Sequence, residues 1–165
     1  MPRYAEFMQD ARALGRGLIP ATEEAPRDFD GRLGALAREW EQGADFRELF
    51  GEPDEARYVE RLYRNAGVEA DPAERAALSS RAETRAGALL KVAADRRLQE
   101  RGHNRAVLLL HYFAVLRRSP DDPPDRNLEG FDFWLSNLER NNDPDKIALA
   151  FRDSIEYKAM KGGDR

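Results

Sequence analysis

Residues Val107–Leu138 read VLLLHYFAVLRRSPDDPPDRNLEGFDFWLSNL, and the fold turns on this stretch. Val107, Leu108, Leu110, Tyr112, Val115 and Leu116 surround a helix axis on nearly every side. A helix that is apolar all round packs among other helices. Ser119–Asn127 (SPDDPPDRN) cannot be helical throughout, because each proline removes a backbone donor and restricts the residue before it. Beyond that turn, Phe131, Phe133, Trp134, Leu135 and Leu138 supply a second apolar stripe. The expected unit is an antiparallel helical hairpin whose inner faces make the core.

Helical periodicity continues on both sides. Upstream, His103 and Asn104 open the central helix after Gly102 ends a helix capped by Thr84 and carrying Ala88, Leu89, Val92 and Leu98. Asp71-Pro72-Ala73-Glu74 combines a cap, a proline at N1 and a glutamate at N3, and starts a short helix running to about Arg81. Pro53, Asp54 and Glu55 start another, with Tyr58, Val59, Leu62, Tyr63 and Ala66 as its stripe and Gly67 as its stop. Asp45–Phe50 (DFRELF) is a short turn. Asp28 is the expected cap for a helix with Phe29, Leu33, Leu36, Ala37 and Trp40 on one face, after a loop at Ala21–Arg27. Tyr4–Leu14 is helical by spacing, ended by Gly15 and Gly17 and left by Leu18-Ile19-Pro20. Downstream, Asp143-Pro144 starts a last helix through Tyr157, and Gly162-Gly163 leads into a polar tail. No stretch alternates long enough to argue for a strand. The expected fold is all-α, a compact bundle of about seven or eight helices from two related units. Residues 1–51 form a leading helical unit and 52–165 a second module.

The chain has 165 residues, 41% of them apolar, which suffices for a core. Its net charge of −4 comes from 27 basic and 31 acidic residues that are interleaved, so no broad cationic surface exists for nucleic acid. Arg96, Arg97, Arg101 and Arg105, with Asp95 and Glu100 among them, read as a solvated helix face. The absence of cysteine excludes disulfides, thiolate metal sites and a cysteine nucleophile. No run reaches the roughly 18 apolar residues of a membrane span. Met1-Pro-Arg-Tyr leads straight into an amphipathic pattern, without a visible secretion signal.

Two parts of the chain rhyme. Leu36…Trp40…Phe46-Arg-x-x-Phe50-Gly51 resembles Ile147…Phe151…Tyr157-Lys-x-x-Lys161-Gly162, and Val92…Leu98 is a fainter copy. Asp45 and Glu156 each stand just before the second bulky residue of the outer copies. Tyr58–Tyr63 before its Asp-Pro turn also parallels Val107–Tyr112 before Asp122-Pro123.

Tyr58–Gly67 (YVERLYRNAG), His111–Asp122 (HYFAVLRRSPDD), Asn127–Leu138 (NLEGFDFWLSNL) and Ala150–Tyr157 (AFRDSIEY) resemble, in that order, the bacterial helical module called domain of unknown function 4214. The resemblance covers about residues 54–160, with Tyr4–Phe50 similar to the leading part of its longer versions. The turn at Asn141–Asp145 is shorter than the family pattern, and Lys161 replaces its usual aromatic residue. The resemblance implies a non-enzymatic scaffold or adhesion module of a bacterial secreted or cell-surface protein, part of a larger chain, binding a partner protein or a cell-envelope polysaccharide. A more distant similarity to phycobilisome linker domains implies the alternative, an intracellular linker packing protein subunits. A complete chain of this length would be cytoplasmic.

The best metal candidate is Asp125-x-Asn127-x-Glu129-Gly130-Phe131. Oxygens at positions 1, 3 and 5, a glycine at 6 and a carbonyl at 7 match the first half of an EF-hand loop, so Ca2+ could stabilise the module there. Position 12 is Ser136 rather than glutamate, leaving Asp121, Asp122 or Asp132 to complete the shell. The plainer reading is a helix-initiating turn in which Asn127 caps and Gly130 makes room for the aromatics. His103 and His111 lie about 12 Å apart along one helix and cannot share a metal. His111 reads as a hydrogen-bonded core or boundary residue. No serine has a nucleophile-elbow context, and the pairs Glu23-Glu24 and Asp121-Asp122 read as solvated. Tyr112, Phe133 and Trp134 are the candidate ligand or partner surface, with Phe133 off the buried stripe.

Overall fold

The computed structural model describes residues 1–17, 25–52, 54–70, 72–80 and 83–162. Its helices are α1 (Tyr4–Gly15), α2 (Ala25–Gln42), α3 (Ala44–Phe50), α4 (Glu55–Ala66), α5 (Pro72–Ser79), α6 (Arg85–Ala93), α7 (Arg96–His111), α8 (Glu129–Asn141), α9 (Pro144–Asp153) and α10 (Ile155–Gly162). A π-helical turn, Tyr112–Leu116, extends α7. Among the described residues there is no strand, so the chain is all-α.

The starts follow local chemistry. Asp54, Thr84 and Asp143 each accept a hydrogen bond from the backbone N–H three residues on, at 2.8, 3.0 and 3.0 Å. These bonds satisfy donors that a helix leaves orphaned. Gly67 ends α4 at φ 66°, a left-handed conformation that costs glycine nothing, and its N–H turns back to Arg64 and Tyr63. Pro53, the Asp71 cap, Leu18-Ile19-Pro20 and Glu23-Glu24 lie outside the described residues.

Several boundaries differ from the sequence reading. Asp28 does not cap α2, which begins at Ala25. Pro26 is compatible with a first helical turn, where its missing N–H has no intrahelical partner to lose, and Ala25 is buried. Asp45–Phe50 is a helical turn within α3. Gly102 does not end a helix, and His103 does not open one. The break comes at Ala94-Asp95, where the Asp95 carboxylate accepts from the Arg97 N–H at 2.8 Å and starts α7. A Cβ at Gly102 would meet open space, so that glycine marks no turn. The final helix is two helices, because Ser154 leaves the helical conformation (φ −62°, ψ 151°) and its hydroxyl caps α10 by accepting from the Tyr157 N–H at 3.1 Å.

Contacts divide the chain into a central unit, Asp10–Arg101, and a C-terminal unit of Met1–Gln9 with Gly102–Arg165. The division falls within α1 and α7 and not at 51/52. Residues 25–50 belong with the central unit because α2 packs on α6, and α3 on α2 and α4. The central core joins Tyr58, Val59, Leu62 and Tyr63 of α4 to Leu78, Ala88 and Val92. The C-terminal core joins Leu108, Tyr112 and Phe113 to Phe131, Leu138, Ile147 and Phe151.

The repeat read from the sequence has a backbone counterpart. Gly43 (φ −66°, ψ 146°) separates α2 from α3 as Ser154 separates α9 from α10. In both, the break residue's N–H bonds the carbonyl three back, Trp40 at 2.9 Å and Phe151 at 3.2 Å. Its carbonyl in turn accepts from the residue four on, Arg47 at 3.0 Å and Lys158 at 3.2 Å.

Candidate functional site

The aromatic and acidic residues of the central stretch meet around Arg118 in the C-terminal unit. Arg117 takes a left-handed conformation (φ 53°) at the end of the π turn. Arg118 follows it with only 11% of its side chain exposed. Its Nε donates to Glu156 at 2.5 Å, and Nη2 donates to Glu156 at 3.0 Å and to Asp125 at 2.7 Å. Nη1 reaches the carbonyls of Ser119, Pro120 and Asp122 at 3.0, 3.1 and 3.0 Å. A guanidinium has five N–H donors, and each nitrogen here has an acceptor. Burial works against the Arg118 charge, but the hydrogen bonds it donates to Glu156 and Asp125 outweigh that and raise its pKa.

The guanidinium lies 5.2 Å from the centroid of the Tyr112 ring. Tyr112 is buried and meets Phe151 edge-on at 5.0 Å, and Trp134 meets the same Phe151 at 5.6 Å. Burial, with the Asp125 carboxylate nearby, pushes the Tyr112 phenol up to about 12. The Ser119 N–H, donating to Asp122 at 2.9 Å, holds that carboxyl below its ordinary range. Together Tyr112, Arg118, Asp125, Trp134, Ser154 and Glu156 line much of a cavity of about 180 Å³. That volume is below the usual range for small-molecule sites.

The residues of the proposed calcium loop do not converge. Asp125 faces Arg118, Asn127 accepts from the Glu129 N–H at 3.1 Å, and Glu129 is exposed in the first turn of α8. Phe131 lies inside α8, where carbonyls are committed to the helix. Asn127 therefore stabilises the entry to α8 from one position before its cap, Leu128. Of the loop's oxygens, the Asp125 carboxylate reaches the Arg118 guanidinium, which Glu156 and the carbonyls of Ser119, Pro120 and Asp122 also hold. Among the described residues no group of three or more histidines and carboxylates is placed to hold a metal ion. A Cβ at Gly130 would stand 3.5 Å from the Tyr112 hydroxyl, an ordinary contact, so sterics do not require glycine there. His111 bonds the Val107 carbonyl through Nδ1 at 2.7 Å and packs edge-on against Phe151.

No family model, curated protein or solved structure matches the chain.

Among the candidate surface residues, Tyr112 is buried, Trp134 half-buried, and Phe133 60% exposed. The sequence marks the acceptor Asp125 as a candidate but gives no signal for Arg118. Glu156 had been visible as the acidic residue that recurs before the second bulky position of the repeat. Nothing local, however, pairs it with an arginine 38 positions away.

Proposed function

We propose that the chain is a non-enzymatic scaffold module that binds a partner protein through the C-terminal unit. The observation that carries this reading is the exposure of Phe133 and Leu149 at 60% each and Ile155 at 89%, on three consecutive helices. Large side chains left in water on neighbouring elements are characteristic of protein-binding surfaces. Sugar binding is less favoured: stacking needs open aromatic faces, and Tyr112 and Trp134 pack on Phe151 instead. Asp125 and Glu156 are committed to Arg118, which suits a structural node better than acid–base work.

No helix among the described residues is long and apolar enough to cross a membrane. Placement in a bacterial secreted or surface protein rests on the resemblance of the four sequence blocks alone. Affinity capture with the wild-type chain and with Phe133→Asp, Leu149→Asp and Ile155→Asp tests the reading. An identified protein bound by the wild type with saturable affinity, and lost with at least one variant, supports it. Binding to purified cell-envelope polysaccharide that Trp134→Ala abolishes and Phe133→Asp leaves intact overturns it.

A further inference from the structure

The cavity beside Arg118 is small for a metabolite but suits the end of one side chain. Its volume of about 180 Å³ has room for a handful of water-sized groups. Tyr112, which lines it, is only 2% exposed, yet its hydroxyl hydrogen-bonds nothing among the described residues. That hydroxyl lies 3.5 Å, and Asp125 Oδ2 3.6 Å, from where a Cβ on Gly130 would stand. Both oxygens therefore lie on the side of the cavity that Gly130 borders. Asp125 uses Oδ2 for Arg118 and leaves Oδ1 without a partner among the described residues. A buried hydroxyl beside a spare carboxylate oxygen is matched by a hydrogen-bond donor.

The surroundings set the charge of that donor. Two carboxylates, Asp125 and Glu156, meet one guanidinium, which leaves one formal negative charge. Every nitrogen of Arg118 is already engaged, so an anion finds no free donor there. Trp134, Ala150 and Phe151 add apolar wall. A lysine side chain fits this combination: its head is compact and carries three donors, and its methylenes lie along apolar surface. A guanidinium is a wider, rigid fork that demands more acceptors. The cavity also adjoins the exposed apolar residues of the same unit. Phe133 precedes Trp134, Leu149 precedes Ala150 and Ile155 precedes Glu156, and the second residue of each pair lines the cavity. We propose that this cavity takes the side chain of a lysine from the partner protein, with its ammonium between the Tyr112 hydroxyl and the Asp125 carboxylate. This rests on the protein-binding role proposed above and gives it a chemical specificity.

Butylammonium chloride, the lysine side chain alone, is the first probe. Titrated into the full-length chain, it should shift the Trp134 indole N–H resonance saturably, with that signal assigned from Trp134→Phe. Sodium chloride at equal concentration and 1-butanol, its uncharged counterpart, should not. Tyr112→Phe should weaken the response several-fold, and Asp125→Asn, which keeps an oxygen for Arg118, should weaken it further. A response that fails to saturate, or that butanol reproduces, overturns the ammonium site and leaves the capture results with Phe133→Asp to stand by themselves. The second probe is the peptide acetyl-Leu-Lys-Leu-amide. It should bind several-fold tighter than butylammonium, and Leu149→Ala or Ile155→Ala should remove that gain while butylammonium binding stays as it was. A peptide no tighter than butylammonium overturns the assignment to a partner's lysine.

Discussion

In the central unit Arg85 lies 4.9 Å from the centroid of the Tyr58 ring, and in the C-terminal unit Arg118 lies 5.2 Å from that of Tyr112. Both tyrosines are buried, and each arginine holds a carboxylate, Glu55 for Arg85 at 2.8 Å and Glu156 with Asp125 for Arg118. The difference is depth. Arg85 is 25% exposed, with one carboxylate and the Glu52 carbonyl as acceptors. Arg118, at 11%, has two carboxylates and three carbonyls. A charge taken further from water needs more acceptors, and the folded chain supplies them from two separate segments, the 119–125 turn and Glu156. The same pair of side chains is thus a surface clasp in one unit and an organising node in the other.

Removing the cations breaks the comparison most sharply. Arg118→Met leaves Asp125 and Glu156 without their partner and three carbonyls without a donor. It should cost about 3 kcal/mol or more in urea-denaturation free energy. Arg85→Met should cost about 1 kcal/mol, since water reaches its partners. Equal losses would mean that depth does not distinguish the two nodes.

The tyrosines sharpen it. The Tyr58 hydroxyl donates to the Arg85 carbonyl at 3.1 Å, so Tyr58→Phe should cost about 1 kcal/mol. Tyr112 borders the cavity, and Tyr112→Phe should cost only a few tenths of a kcal/mol by the same assay. Burial raises both phenols from 10.0 to about 12, and it does the same for Tyr63. Between those values the unfolded chain loses protons that the folded chain keeps. The stability from this source is complete below pH 10 and is lost as pH rises through about 12. Tyrosinate absorbance at 295 nm should show a late-ionising fraction, which Tyr58→Phe and Tyr112→Phe each reduce.

What could be read in advance follows from the range of the interactions involved. Helix identity was local: the caps at Asp54, Thr84 and Asp143 and the stop at Gly67 sit within three or four residues of what they control. The errors at Asp28 and Gly102 share one cause. A good capping residue and a glycine are each compatible with a helix interior, and burial of Ala25 and the stronger start at Asp95 decided between alternatives the local pattern left level. The site was half legible. Tyr112, Asp125 and Trp134 do come together, around Arg118. Arg118 is one of 27 basic residues, and only the fold brings it to Glu156.

The repeat yields the smallest effect and the most direct check of kinship between the halves. Gly43 and Ser154 hold the same backbone break, but only Ser154 caps the helix that follows. Ser154→Ala should therefore cost about 1 kcal/mol. The exchange in the other direction, Gly43→Ser, offers the same hydroxyl to α3. Its Cβ would stand 3.1 Å from the Trp40 carbonyl oxygen, a tight approach. Ser154, however, carries a Cβ in an equivalent conformation, with its N–H on the Phe151 carbonyl. If the two breaks are equivalent, Gly43→Ser stabilises the central unit by a few tenths of a kcal/mol. A loss instead would mean that the backbone likeness does not extend to the space around it, and that each half solves its helix break separately.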